Sequence, residues 1–388
     1  MSLADTLALR QGCKPFRHLD RPLEAIRQFT PHWFAVTMGT GILALALAAF
    51  PLPLPGLHAL AEGLWLLDAL LFSLFIGLYA ARWLLFYREA REIFAHATVS
   101  MFLGTIPMGL ATLINGLLLF GLPRWGEAVL PLALGLWWLD AAMALACGVL
   151  IPYLMFTRQA HRIDQMTAVW LLPVVAAEVA AASGGLLVPH LATSEQFTVL
   201  VASYVLWAYS VPVALSLLVI LLLRLALHKL PPANMAASSW LALGPIATGA
   251  LGLLILGADA PTVFAAHGLA GIGEIAQGLG LLGAMLLWGL GLWWLALAVL
   301  VTQRQAREGM PFNLGWWGFT FPLGVYALTT LRLGEALAAP FFTGLCTVLV
   351  VLLALLWTLV ASRTLAGAYQ GSLFVSPCIA HLCQKAAR

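Results

Sequence analysis

Trp316-Trp317-Gly318-Phe319-Thr320-Phe321-Pro322-Leu323-Gly324 sets a proline inside a long apolar run. Proline removes one backbone hydrogen bond and bends a helix. In hydrocarbon such a break is tolerated only where neighbouring protein or a water-filled cavity takes up the freed carbonyl. The rest of the chain says which solvent applies. Of its 388 residues, 62% are hydrophobic and 9% are charged, whereas a soluble domain carries about 25% charged residues. That composition excludes a water-soluble globular enzyme, a disordered chain and a nucleic-acid binder. It points to a polytopic membrane protein.

A helix crossing about 30 Å of hydrocarbon needs roughly 20 apolar residues. Ten segments meet that test: 31–50, 58–86, 97–121, 128–156, 167–189, 196–226, 236–257, 268–301, 312–333 and 338–362. Short breaks such as Pro51-Leu52-Pro53-Leu54-Pro55-Gly56 and Pro231-Pro232-Ala233-Asn234 separate them. Basic residues orient the chain. Seventeen of the 19 lie in the N-terminal arm, in the loops after even-numbered segments or in the tail, leaving Arg124 and Arg332 on the other side. The expectation is a cytoplasmic arm over 1–30, one integral domain over 31–362 and a cytoplasmic tail over 363–388. Both termini are then cytoplasmic and the membrane is the cell's inner membrane. No signal-peptide core precedes the first segment, so no cleavage is expected.

Pro322 has counterparts. Pro107, Pro173 and Pro245 fall in segments 3, 5 and 7, and successive separations are 66, 72 and 77 residues, each about one helical hairpin. One further interval before Pro107 lies Met38-Gly39-Thr40-Gly41, where glycines replace the proline. Even-numbered segments echo one another more weakly. Trp65-Leu66-Leu67-Asp68-Ala69 resembles Trp137-Trp138-Leu139-Asp140-Ala141, and Trp207-Ala208-Tyr209-Ser210 follows at a similar interval. The expected fold is all-α and integral to the membrane. It has ten transmembrane helices as five repeated hairpins, with an inner ring of odd-numbered helices, kinked at those prolines, around a central pore. Simple bending of packed helices is the alternative use of the prolines.

Few full charges lie within the odd segments, whereas hydroxyls are frequent. Thr37, Thr40, Thr105, Thr112 and Asn115 come from segments 1 and 3. Ser183, Thr248, Thr320 and Thr329 come from segments 5, 7 and 9. As pore-lining groups, neutral donors would bind a passing anion weakly enough to release it. Close helix packing is the alternative for each. In segment 9, Phe319 and Phe321 point about 200° apart at about 100° per residue, so only one can face a pore. Phe321 shares its face with Gly318 and Gly324 and could plug the channel.

Ionisable residues at membrane depth are functional candidates. Glu178 lies five residues past Pro173. A charged Glu178 would repel anions, whereas a neutral one could carry a proton with the solute; an interhelical structural carboxyl is the other reading. Asp68 and Asp140 occupy matching repeat positions and suit interhelical hydrogen bonding. Five cysteines give no disulfide framework. Cys378, His381 and Cys383 are three ligands without a fourth, a poor zinc site, so neither a metal nor another cofactor is expected. Of nine histidines, only His32, His96, His190 and His267 approach segment ends, which gives no haem pair. No nucleophile–base arrangement or phosphate loop is present, so no enzyme is expected.

Three motifs carry a family resemblance. Phe29-Thr30-Pro31-His32-Trp33-Phe34-Ala35-Val36-Thr37-Met38-Gly39-Thr40-Gly41 is similar to the opening of the tellurite-resistance/dicarboxylate transporter family. Ser100-Met101-Phe102-Leu103-Gly104-Thr105-Ile106-Pro107-Met108-Gly109 and Phe312-Asn313-Leu314-Gly315-Trp316-Trp317-Gly318-Phe319-Thr320-Phe321-Pro322 resemble it too, in the same order. That family includes slow-type anion channels of plant guard cells, fungal malate permeases and fungal sulfite efflux proteins. Members often read His-Pro-Val-Gln-Ser where this chain has His96-Ala97-Thr98-Val99-Ser100.

The resemblance spans about Phe29 to Arg363. It implies five hairpins in pseudo-five-fold symmetry around a central anion pore, usually as a homotrimer, with a phenylalanine of segment 9 occluding the pore. Phe321 corresponds to that gate, with Phe319 adjacent in register. The partners implied are a small inorganic or organic anion and the lipid bilayer, and no nucleic acid. The function implied is sulfite efflux or C4-dicarboxylate (malate) transport, with a voltage-driven nitrate or chloride channel as the alternative. A sensor or redox protein that transports nothing is the reading from a different class.

Overall fold

The computed structural model describes residues 15–379; His381 and Cys383 lie outside that range. Among the described residues all regular structure is helical, and ten helices have 12 residues or more. They are α1 (Phe34–Ala48), α2 (Leu57–Leu85), α3 (Thr105–Gly116), α4 (Leu130–Thr157) and α5 (Leu172–Leu187). Then follow α6 (Thr193–His228), α7 (Leu243–Ala265), α8 (Ala270–Glu308), α9 (Thr320–Leu337) and α10 (Pro340–Gln370). By length and composition, eight helical stretches among the described residues can cross a membrane. One of them, Val99–Thr157, holds both α3 and α4, joined through a π-helical turn at Leu117–Gly121. The short α9, which carries Arg332 and Glu335, falls outside the eight.

Burial separates the helices into two sets. In their most apolar 18-residue windows, 83% of Pro31–Ala48 and 94% of Ala168–His190 are buried, against 22% of Leu57–Leu85 and 28% of Pro340–Gln370. The even helices expose whole apolar side chains such as Leu84, Phe156, Leu286 and Leu365. Exposed faces of that extent require a non-aqueous neighbour, and lipid supplies one.

Each odd helix is led in by a short, separate helical turn. Pro31–Trp33, Val99–Gly104, Ala168–Leu171 and Leu314–Phe319 are 3-10 turns, and the short helix Ser238–Leu241 precedes α7. Pro107, Pro173, Pro245 and Pro322 all fall within the first three residues of α3, α5, α7 and α9. The expected mid-helix kinks are therefore corrected to helix starts. In the first turn an N–H has no intrahelical acceptor, so proline forfeits no bond there.

Tryptophans on the even helices tie the two sets together. Trp65 Nε1 donates to the Leu113 carbonyl at 3.2 Å, Trp137 to Ala180 at 2.8 Å and Trp207 to Gly249 at 2.9 Å. Trp288 Nε1 donates to Thr330 Oγ1 at 2.9 Å and Trp357 to Thr40 Oγ1 at 3.1 Å. Each bond runs from an even helix to the odd helix that follows it, and the fifth returns from α10 to α1. The set closes on itself.

A second set of bonds secures the opposite ends of the even helices. Arg82 donates to the Phe29 carbonyl, Gln159 to Phe94 at 3.0 Å, Arg224 to Asp164 and Gln305 to Pro231 at 2.9 Å. In every case the acceptor lies on the chain entering the odd helix of the same hairpin, where a carbonyl would otherwise be orphaned.

The bond that closes the ring is open to a double-mutant cycle. Trp357→Phe and Thr40→Val, each alone and combined, should show a coupling of about 1 kcal/mol in thermal unfolding of the detergent-solubilised protein. Additive losses would remove this contact from the account of the fold.

Candidate functional site

Two cavities lie among the odd helices, one of about 80 Å³ at their N-terminal ends and one of about 540 Å³ toward their C-terminal ends. The same face of each helix lines both. On α1 and its lead-in the smaller cavity takes Ala35 and Met38, and the larger takes Ile42, Leu45 and Ala49. Phe102 and Thr105 are continued on α3 by Thr112 and Asn115. Val169 and Leu172 lead to Val179 and Ala182 on α5, and Ser238 and Leu241 lead to Thr248 and Leu251 on α7. On α9 and its lead-in, Gly315 and Gly318 are followed by Phe321 and Val325. These steps are three, four or seven residues, which keeps to one helix face. The cavities are therefore stacked along a shared axis.

Phe321 stands where they meet. Its ring lines the larger cavity and is 3% exposed, while Gly318, one turn earlier, lines the smaller. Met38 closes the smaller cavity on α1 and is 2% exposed. Phe319 lines neither cavity. Its ring packs edge-on against Trp240 at 5.4 Å and Trp316 at 5.8 Å.

The expected polar lining divides. Thr105 lies on the smaller cavity, and Thr112, Asn115 and Thr248 lie on the larger. Thr37, Thr40, Ser183, Thr320 and Thr329 are on neither wall, which corrects that expectation for these five. Their positions serve helix packing. Thr37 and Thr320 donate to carbonyls three residues earlier at 2.8 Å, and Thr40 accepts the Trp357 indole. Thr329 bridges α9 to the Ala247 carbonyl of α7 at 3.0 Å. Ser183 is fully buried one residue before Gly184, whose missing Cβ leaves room for Ser203 and Trp137. Small residues let membrane helices approach in this way. At Gly39 a Cβ would strike the Trp317 ring and Thr320, so that glycine sets the approach of α1 to α9.

The buried acids Asp68, Asp140 and Glu178 lie off both cavity walls. Glu178 lies on neither cavity wall and sits beside Ser210 of α6, whose hydroxyl donates instead to the Val174 carbonyl at 2.8 Å. Neither carboxyl oxygen of Glu178 has a hydrogen-bond partner. Asp68 takes a bond from Thr112 at 3.4 Å, and Asp140 is fully buried on α4. The charged side chains on the larger cavity are Arg332 and Glu335, paired at 3.1 Å and about half exposed. At the opposite end, outside the helix bundle, Cys378 is buried against Ile93 and Val99. Phe374 stacks on Trp33 at 4.9 Å.

Trp288 and Trp357 were not singled out by sequence, although they extend the series Trp65, Trp137 and Trp207 by 81 and 69 residues. Their neighbours lack the aspartate or serine that marks the first three. Spacing alone was the available signal.

Described residues whose regular structure is all helical, with lipid-facing outer helices and a cavity at each end of the inner ones, make a multi-pass membrane transport protein. Residues 28–365 match the SLAC1 family model, described as voltage-dependent anion channel, and the chain belongs to that family. It is 42% identical over 344 residues to a sulfite efflux pump of Arthroderma benhamiae, covering 88% of this chain and 91% of the relative. A sulfite efflux pump of Trichophyton rubrum is also 42% identical, with the same coverage. The malic acid transport protein of Schizosaccharomyces pombe is 25% identical over 87% of this chain and 77% of its own.

Single cysteines test the stacking of the cavities. With native cysteines replaced, Leu251→Cys should react with a membrane-impermeant thiol reagent from one side of the membrane and Ser238→Cys from the other. Labelling of both from the same side would contradict it.

Proposed function

We propose that this chain is an efflux pathway for sulfite, conducting a small anion along the axis of the odd helices with Phe321 as the barrier. In this reading ten helices cross the membrane as five hairpins, α3 and α4 being separate crossings and α9 a short inner one. The closed series of tryptophan bonds supports that arrangement. The distribution of basic residues supports a cytoplasmic position, at the cell's inner membrane, for both termini and for the smaller cavity. Homotrimeric assembly belongs to the same reading and rests on the family alone. No reaction is catalysed; the solute leaves unchanged.

The observation that carries the proposal is the position of Phe321 between two cavities lined by the same five helix faces. A single aromatic layer is a small obstacle, and removing it joins about 80 Å³ to about 540 Å³ of space. The wall favours a small anion over a dicarboxylate. Two carboxylates call for paired cations, whereas Arg332 is already held by Glu335. Sulfite is preferred because the relatives at 42% identity carry that name.

Flux into proteoliposomes tests the barrier. Phe321→Ala should raise sulfite flux at least ten-fold, whereas Phe319→Ala, which only loosens packing against Trp240, should leave it near the parent value. Equal flux in the parent and Phe321→Ala would sink the barrier assignment. Equal flux of sulfite, nitrate and chloride following voltage alone would favour the channel reading.

Glu178 is read as an interhelical carboxyl, because it faces α6 away from both cavities. The pH dependence of sulfite flux should therefore be the same in Glu178→Gln and parent. Its loss in the variant would give Glu178 the proton-carrying role instead.

A further inference from the structure

Among the described residues on the wall of the smaller cavity, His32 is the one with an ionisable side chain. It sits on the turn Pro31–Trp33 that leads into α1, and the Pro31 carbonyl takes a bond from Thr105 at 3.1 Å. The imidazole is held on two sides. Its ring stacks on Phe102, with centroids 3.7 Å apart and planes 26° from parallel. Its Nδ1 lies 3.1 Å from the Thr30 hydroxyl. His32, Ala35 and Met38 follow at three-residue steps and all line the cavity, so His32 lies at the end farther from Phe321.

The Thr30 contact decides which ring nitrogen carries the proton. Thr30 is 3% exposed and has extended backbone, φ −119° and ψ 162°. Thr37 and Thr40 donate to carbonyls three and four residues earlier. The Thr30 hydroxyl has only His32 Nδ1 as a partner among the described residues. A buried hydroxyl that merely accepted would leave its own proton without an acceptor, so Thr30 donates to Nδ1. In the neutral ring the proton is then on Nε2. Among the described residues Nε2 has no hydrogen-bond partner, yet it is not sealed from solvent, and the residue as a whole is half-buried. An N–H donor of fixed orientation is left for what enters the cavity.

We propose that the Nε2–H of His32 binds a small oxyanion in the smaller cavity, and that Thr30 is the positioning residue that keeps the donor on that nitrogen. The proposal rests on the reading of the axis as the route of a small anion. A neutral donor suits this task. It replaces part of the solute's hydration and then releases it, whereas a fixed charge would retain the anion.

The test uses His32→Phe, His32→Gln and Thr30→Val, each in the full chain. Phenylalanine keeps a ring to stack on Phe102 but has no donor, whereas glutamine offers an N–H at a similar reach to Nε2. Sulfite should raise the unfolding temperature of the parent protein in detergent. His32→Phe should lose most of that rise, and His32→Gln should keep it. In proteoliposomes supplied with sulfite on the side of Ser238, the half-saturating concentration should increase about three- to ten-fold in His32→Phe, the loss of one neutral hydrogen bond. It should stay near the parent value in His32→Gln and fall between the two in Thr30→Val, where the proton is free to move to Nδ1. Should His32→Phe not fold, His32→Leu carries the same expectations. No rise in the parent's unfolding temperature, or an equal rise in parent and His32→Phe, overturns the site; so does equal half-saturation in the two. A rise that His32→Phe loses, with no sulfite flux in any protein including Phe321→Ala, would keep the site and overturn the axis as the sulfite route.

Discussion

Five indole N–H groups on the even helices set the arrangement of everything inside them. In hydrocarbon a tryptophan N–H has no water to turn to and must find an acceptor on a neighbouring helix. Leu113, Ala180 and Gly249 offer the second lone pair of a helical carbonyl, and Thr330 and Thr40 offer a hydroxyl. Because each bond reaches the next hairpin and the last returns to α1, the hairpins are fixed in angle and height around one axis. The inner helices need not hold themselves in place by length or hydrophobicity. That is why α3 can be 12 residues long and α9 can carry Arg332 and Glu335 near its end.

Much of this was legible in the sequence. Apolar length and the small charged fraction gave the membrane class, and the interval between prolines is the interval between the helix starts that carry them. Pro107, Pro173, Pro245 and Pro322 lie at the start of four inner helices and not at a kink within them, and the glycines offered for the fifth, Gly39 and Gly41, lie inside α1. From sequence a proline inside an apolar run looks interior, because the 3-10 turn before it is just as apolar as the helix. Hydroxyls were harder. Thr37 and Thr320 differ from Thr105 and Thr248 only by which way the helix turns them, and one chain without a partner helix does not fix that rotation. The tryptophan series was half visible, since Asp68, Asp140 and Ser210 drew the eye to three members, while Trp288 and Trp357 stand in plain apolar surroundings.

The site that results is sparse by design of its chemistry. Two cavities present mainly aliphatic walls, a few neutral polar groups and one ion pair at the wide end. Charge inside such a path would either exclude the anion or trap it. In the proposed reading, selectivity then falls to steric closure at Phe321. The buried carboxyls, turned between helices, are kept off the path, where their charge would oppose the solute. The ends of the even helices show the same economy of place: Arg82 and Arg224 are spent on backbone carbonyls of the entry loops, outside both cavities.

A continuous axis interrupted only at Phe321 is the central claim. The direct measurement is labelling of Leu251→Cys in proteoliposomes by a small impermeant thiol reagent added on the side of Ser238, with Phe321 intact and with Phe321→Ala. The cysteine should be protected from that side when the ring is present and should react when it is removed. Equal reactivity in both proteins would show that the ring closes nothing, and protection in both would show a further barrier along the axis.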